Sequence, residues 1–166
     1  MADSPIIQIL LGQLLKEKKL SLSVAESCTG GNVSRLITSV PGASEYYLGS
    51  VTSYANSVKE NVLGVPEAVI ARYGAVSSEC VAKMAEGVRR ITGSDLSVAT
   101  SGVAGPGGGT PEKPVGLVWI GVSSPLGTRT FAFHACQDRE RNVELFTQAA
   151  LEALLEEVKA LPAKTA

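Results

Sequence analysis

The stretch LSLSVAESCTGGNVSRLITSV, Leu20–Val40, decides the fold of this chain. Leu22 and Val24 alternate with Ser21 and Ser23 up to Glu26, the pattern of a short strand. Ser27-Cys28-Thr29-Gly30-Gly31 follows at once and reads as a tight glycine-rich turn. Val33, Leu36, Ile37 and Val40 then recur at the spacing of one helix face. Strand, glycine turn and helix form the opening unit of an α/β protein, and such folds bind ligands at the strand's carboxyl end.

Working outward, Ile6, Ile7, Leu10, Leu11, Leu14 and Leu15 predict a first helix. Ser4-Pro5 supplies its cap and first-turn proline, and the charged run Lys16–Lys19 ends it. Pro41-Gly42 breaks the second helix. Tyr46–Tyr54 is a second strand interrupted by Gly49, and Asn56 is a candidate N-cap for a short helix carrying Val58, Lys59, Val62 and Leu63. Pro66 opens another short helix reaching Tyr73. Ser77-Ser78-Glu79 caps a longer one, with Val81, Met84, Ala85 and Val88 on one face and Gly93 as its stop. Asp95–Ser101 reads as a strand running into the loop GVAGPGGGTPEKPVG, residues 102–116. Leu117–Val122 and Thr128–His134 form a hairpin through residues 123–127, which makes one of the two antiparallel to its neighbours. A last helix starts near Asp138 and carries Val143, Phe146, Ala150, Leu151, Leu154, Leu155 and Val158; the tail LPAKTA is expected to fray. Helices alternating with strands imply a three-layer α/β/α sandwich around a mixed, mainly parallel sheet.

Composition narrows the function. The 166 residues carry no repeat and no interdomain linker, so residues 1–166 are read as one domain. With 45% apolar residues the chain can close a core, and with 5% aromatics it is no base-stacking platform. A formal net charge of −1 offers no footprint for a phosphate polymer, so nucleic acid is not an expected partner, whereas a small anion held by backbone N–H groups is compatible. Cys28, Cys80 and Cys136 lack metal or redox spacing and read as reduced thiols. No apolar run reaches the ~18 residues of a membrane span, and the N-terminus lacks signal-peptide features. A cytoplasmic location without membrane contact is expected.

Three clusters carry candidate chemistry, each at a strand end. In Glu26–Gly31, Ser27 is the better oxygen nucleophile, Thr29 a cap or ligand contact, and the N–H groups after Gly30-Gly31 candidate oxyanion donors. An isolated Ser-x-Thr-Gly-Gly is also a common helix cap. In Ser53–Lys59, a lysine at a helix start near Tyr54 is a credible base, because the helix dipole and desolvation both disfavour its charge. A solvated lysine is the plain alternative. In Gly102–Gly109, the glycines match neither a P-loop nor a Rossmann fingerprint, and they allow close backbone approach to a ligand or a mobile loop. His134 is the one histidine, and its strand position indicates a structural or edge role. With one histidine and scattered cysteines, a zinc hydrolase is not expected, and G-x-S-x-G is absent. For a serine attacking a carbonyl, lysine is then the most economical base. In Asp138–Arg141, either arginine can hold a phosphate or simply face water.

Together, A-E-S-C-T-G-G at Ala25–Gly31, S-Y-A-N-S-V-K at Ser53–Lys59 and S-G-V-A-G-P-G-G-G-T-x-x-K-P-V-G at Ser101–Gly116 resemble the C-terminal domain of the CinA family, from about Leu10 to the last helix. The resemblance implies a sheet of about five strands. It also implies the activity of family members that are nicotinamide mononucleotide deamidases, releasing ammonia and nicotinic acid mononucleotide. It implies catalytic Ser27, Tyr54 and Lys59, with Glu26, Thr29, Gly30, Gly31, Asn56, Gly102, Gly105, Gly107 and Arg139 against the substrate. No metal and no organic cofactor is expected, and the partners expected are the mononucleotide and further copies of the chain. Many relatives carry an N-terminal domain related to molybdopterin-binding proteins; that domain and its pyrophosphatase activity are expected to be absent here. One departure stands out: where relatives often carry D-R-x-x-x-R, the second arginine's place is taken by Val143, with Arg141 a candidate substitute. A mononucleotide-binding regulatory module and a serine hydrolase of another small amide are the rival readings.

Overall fold

The inner strands alternate large and small side chains, and that difference sets the two outer layers. A computed structural model describes residues 6–165. The elements are α1 (Ile7–Lys18), β1 (Leu22–Glu26), α2 (Asn32–Thr38), β2 (Tyr47–Thr52), α3 (Asn56–Asn61), α4 (Glu67–Tyr73), α5 (Ser78–Thr92), β3 (Leu96–Gly102), β4 (Leu117–Ser124), β5 (Gly127–His134) and α6 (Arg139–Ala160). Leu22, Val24, Leu96, Val98, Val118 and Ile120 point to one face, where they meet Leu11 and Leu15 of α1, Val33 and Ile37 of α2, and Phe146, Leu151 and Leu154 of α6. Ala25, Ala99 and Trp119 point to the other, where they meet Val81, Met84, Ala85 and Val88 of α5. Small residues there let α5 settle directly on the sheet. A Cβ added at Gly121 would lie 2.5 Å from the Val81 carbonyl oxygen, and Ser97 Oγ donates to the Ala85 carbonyl at 2.6 Å. The result is an α/β/α sandwich.

Strand order is β2-β1-β3-β4-β5. β1 runs parallel to both β2 and β3, whereas β4 is antiparallel to both β3 and β5. The carboxyl ends of β1, β2 and β3 therefore open on one edge of the sheet. Pro125 and Leu126 make the hairpin turn, with Ser124 paired to Gly127. Ser77 caps α5 by accepting from the Cys80 N–H at 3.1 Å, as its sequence position predicts, and Asp138 caps α6 by accepting from the Arg141 N–H at 2.9 Å.

β1 is buried throughout, and its one serine, Ser23, pairs its Oγ with Ser94 Oγ at 2.7 Å. Two expectations are corrected. Asn56 does not cap α3; Ala55 holds that position in extended conformation and Asn56 is the first helical residue. The tail is held as far as Lys164. Leu161 is buried, the Lys164 N–H donates to the Lys18 carbonyl at 2.8 Å, and Lys18 Nζ donates to the carbonyls of Val158 and Leu161. The Ser4-Pro5 cap lies outside the described residues. Among those described, no helix is long and apolar enough to cross a membrane.

Candidate active site

The turn after β1 is built around a buried carboxylate. Glu26 accepts from Thr29 Oγ1 at 2.6 Å, from the Val33 N–H at 2.9 Å and from the Ser34 N–H at 3.1 Å. It thereby satisfies the free N–H groups at the start of α2 and places its charge at the positive end of that helix. Thr29 Oγ1 also lies 2.8 Å from Thr100 Oγ1 on β3. Gly30 and Gly31 adopt φ of +59° and +104°, a region that favours glycine, and so turn the chain back. Ser27 is left at the corner, 8% exposed, above the carboxyl ends of the strands. Glu26, Thr29, Gly30 and Gly31, read from the sequence as substrate contacts, do not line the cavity. The Gly30 N–H donates to the Ser27 carbonyl at 3.0 Å, which removes it as an oxyanion donor. The N–H groups of Cys28 and Thr29 meet no acceptor among the described residues, and Cys28 lines the cavity.

Lys59 comes from the short α3, which follows β2 after an extended Ser53-Tyr54-Ala55 link. Ser53 ties that link to β1, its N–H donating to the Glu26 carbonyl at 2.7 Å and its Oγ to the same oxygen at 3.1 Å. The Lys59 side chain folds back beneath the link and is 1% exposed. Its Nζ lies 3.0 Å from Ser27 Oγ, 2.6 Å from the Ser53 carbonyl oxygen and 3.1 Å from that of Tyr54. Burial pushes its pKa below the ordinary lysine value, with the Cys80 and Cys28 thiols acting in the opposite direction. Burial also pushes the Cys28 thiol up to about 12 and the Cys80 thiol up to about 11, so neither is a thiolate near neutral pH.

The third side is the glycine loop after β3. Gly105 has φ of +88°, and a Cβ there would lie 2.5 Å from Val115 Cγ1. Arg139, at the start of α6, spans the opening: Nη1 donates to the Gly105 carbonyl at 2.7 Å and Nη2 to Tyr54 Oη at 3.2 Å. Asn142, one turn on and fully buried, donates to the Ala104 carbonyl at 3.0 Å and accepts the Gln137 N–H at 3.0 Å.

These elements enclose a cavity of about 320 Å³. Ser27, Tyr54, Asn56, Lys59, Gly102, Gly105, Gly107 and Arg139 all line it, although they come from four separate stretches of sequence. Tyr54 sits at the mouth, 61% exposed. The sequence reading missed Ser101, Asn142 and the Ala75-Val76 link before α5, which also lines the cavity. A polar Asn142 on the otherwise apolar face of Phe146 and Ala150 is the one signal that was available. Arg141, the candidate substitute for the absent arginine, pairs with Glu144 at 2.7 Å on the surface. Arg35 and Asn32 instead share a neighbouring depression with Arg139 and Val143. His134 is exposed on the edge strand β5, beside a different depression lined by Trp119 and Tyr73. Among the described residues no three His, Cys, Asp or Glu side chains converge as metal ligands. A hydroxyl at a strand end, within reach of a buried amine whose charge is disfavoured, is the arrangement of an activated nucleophile.

Comparison with known proteins agrees with this architecture. The sequence profile of the CinA C-terminal domain matches residues 6–158. A CinA-like protein of Desulfosudis oleivorans is 51% identical over 147 residues, covering 87% of this chain and 35% of the relative. One from Salinibacter ruber is 47% identical over 146 residues, covering 88% and 35%. The chain thus spans about a third of the length of these curated relatives. Among solved structures, a competence-damaged protein (CinA) superfamily protein from Klebsiella pneumoniae superposes with a TM-score of 0.90 at 30% identity, covering 93% of this chain and 97% of that one. The corresponding superfamily protein of Escherichia coli gives 0.88 at 31%, covering 95% and 93%.

Proposed function

This chain belongs to the CinA C-terminal domain family, and we propose that it is a nicotinamide-nucleotide amidohydrolase, converting nicotinamide mononucleotide and water to nicotinic acid mononucleotide and ammonia through an acyl-enzyme on Ser27. The observation that carries the reading is the placement of Lys59 Nζ 3.0 Å from Ser27 Oγ, with two backbone carbonyls as its other partners. A neutral lysine amine has two N–H donors and one lone pair. With the donors on the carbonyls of Ser53 and Tyr54, the lone pair faces the Ser27 hydroxyl and can take its proton. Burial, which disfavours the ammonium, keeps that lone pair available.

Ser27 Oγ then attacks the carboxamide carbon. The N–H groups of Cys28 and the glycine loop are the donors nearest the developing oxyanion, each worth about 2.7–4 kcal/mol in comparable sites. Ammonia leaves, water attacks the ester with Lys59 again as base, and the acid is released. Two features support a mononucleotide as substrate. The three motifs resemble those of family members that deamidate it, and Arg139 keeps part of its five-donor guanidinium for a phosphate at the mouth. Arg35 beside it takes the place expected of the arginine that Val143 replaces.

The test is direct. Purified chain incubated with nicotinamide mononucleotide should release ammonia and nicotinic acid mononucleotide in equal amounts, read by a coupled ammonia assay and chromatography. Calorimetric binding without ammonia would instead make it a binding module, and ammonia only from other amides would redirect the substrate.

A further inference from the structure

The Ser27–Lys59 pair accounts for attack but leaves the departing nitrogen without a proton. Once Lys59 is an ammonium, its three N–H bonds are directed at Ser27 Oγ and the carbonyls of Ser53 and Tyr54. The proton aimed at Ser27 Oγ would, if returned there, expel the serine and regenerate substrate. Amide anion does not leave unprotonated, so productive collapse requires a second hydroxyl beside the first.

β3 supplies one. β1 and β3 are parallel, with Ala25 opposite Ala99. That pair ends the ladder; Ser27 lies two residues beyond it after β1 and Ser101 two residues beyond it on β3, and both line the cavity. Side chains at 97, 99 and 101 share the α5 face: Ser97 bonds to α5, Ala99 packs in the same cluster, and Ser101 pairs across to Trp119 of that cluster. Ser27 follows Ala25 by two residues and its Oγ meets Lys59 Nζ, and Ser27, Lys59 and Ser101 line one cavity. Ser101 is 1% exposed, lines the cavity, and its hydroxyl makes no hydrogen bond among the described residues. Open to the cavity and without an internal partner, that hydroxyl is available to substrate. Tyr54 Oη, by contrast, is held at the exposed mouth by Arg139.

We propose that Ser101 is a further catalytic residue, whose hydroxyl gives its proton to the departing ammonia. This deepens the amidohydrolase reading and rests on it. As the tetrahedral intermediate collapses, the carbon–nitrogen bond breaks, its electron pair stays on nitrogen, and the oxyanion pair re-forms the carbonyl. The nitrogen takes the Ser101 Oγ proton. The Lys59 N–H that faced Ser27 Oγ turns to the neighbouring Ser101 Oγ and replaces that proton. Ammonia leaves, both side chains are restored, and the acyl-serine remains.

The experiment compares two substrates of wild type and Ser101→Ala: nicotinamide mononucleotide, and the S-methyl thioester of nicotinic acid mononucleotide, whose thiolate departs without a proton. Ammonia release by the variant should fall about 100-fold or more, in the range of general-acid catalysis, while thioester cleavage stays within about 3-fold of wild type. Ser101→Thr, which keeps the hydroxyl on a strand, should keep ammonia release within about tenfold, a rescue that a packing role would not produce. Equal losses on both substrates, ammonia release by Ser101→Ala near the wild-type rate, or a threonine variant as slow as the alanine one would overturn the proposal. A wild type that releases no ammonia removes the parent reading, and this one with it; an active wild type with an indifferent Ser101→Ala removes this one alone.

Discussion

Ser27→Ala should lower ammonia release from nicotinamide mononucleotide by roughly 10⁶-fold, the scale on which losing a nucleophile leaves only binding and oxyanion stabilisation. Neither of the next two residues in the chain replaces it. The Cys28 thiol is held protonated by burial, and Thr29 Oγ1 is bound between Glu26 and Thr100 behind the corner. The fold should be indifferent to the change, because among the described residues Ser27 Oγ bonds only to Lys59, and the corner is shaped by Glu26 and the two glycines. Calorimetry should therefore still detect the nucleotide while ammonia release disappears. Loss of both together would mean that the hydroxyl shapes the site instead of reacting.

Lys59→Met should cost about 10⁴-fold in turnover, the upper range for a general base. Combined with Ser27→Ala it should add almost nothing, since the two side chains act as one unit. Its effect on stability runs the other way. The folded-state pKa of Lys59 lies below its unfolded value of 10.5, so between the two the unfolded chain binds more protons and wild-type stability rises with pH. Below the lowered pKa, the full cost of burying a charged amine weighs on the wild type. Lys59→Met removes that cost, so its advantage in denaturant midpoint should be greatest below the lowered pKa and shrink as pH climbs toward 10.5. The same titration governs wild-type kcat/KM, which should rise with pH along a limb centred below the usual lysine value. A flat profile, or a variant no more stable at pH 7 than at pH 10, would contradict a buried, neutralised base.

Much of this was legible in the chain because it was written locally. The strand at Leu22–Glu26, the Gly30-Gly31 turn, the cap at Ser77 and the helix start near Asp138 are all near-neighbour patterns, and each formed as read. Ser27, Tyr54 and Lys59 were legible as candidates for the same reason: each sits at or just beyond a strand's end. What stayed hidden depends on partners distant in sequence. Glu26 looked like a residue facing ligand, but its carboxylate turns inward to α2, and only the sheet's two buried faces decide that direction. The tail looked free because its anchor is Lys18, about 140 residues away. Ser101 looked like the unremarked end of a strand until the fold brought it to the cavity that Ser27 lines.

The central claim is that Ser27 becomes covalently acylated when the amine of Lys59 takes its proton. Wild-type enzyme turning over nicotinamide mononucleotide, quenched in acid and mapped by peptide mass spectrometry, tests it most directly. The account predicts a nicotinoyl-nucleotide ester on the peptide containing residue 27 and on no other. Steady turnover with that peptide unmodified at every quench time, or the same mass on the Cys28 thiol, would contradict it.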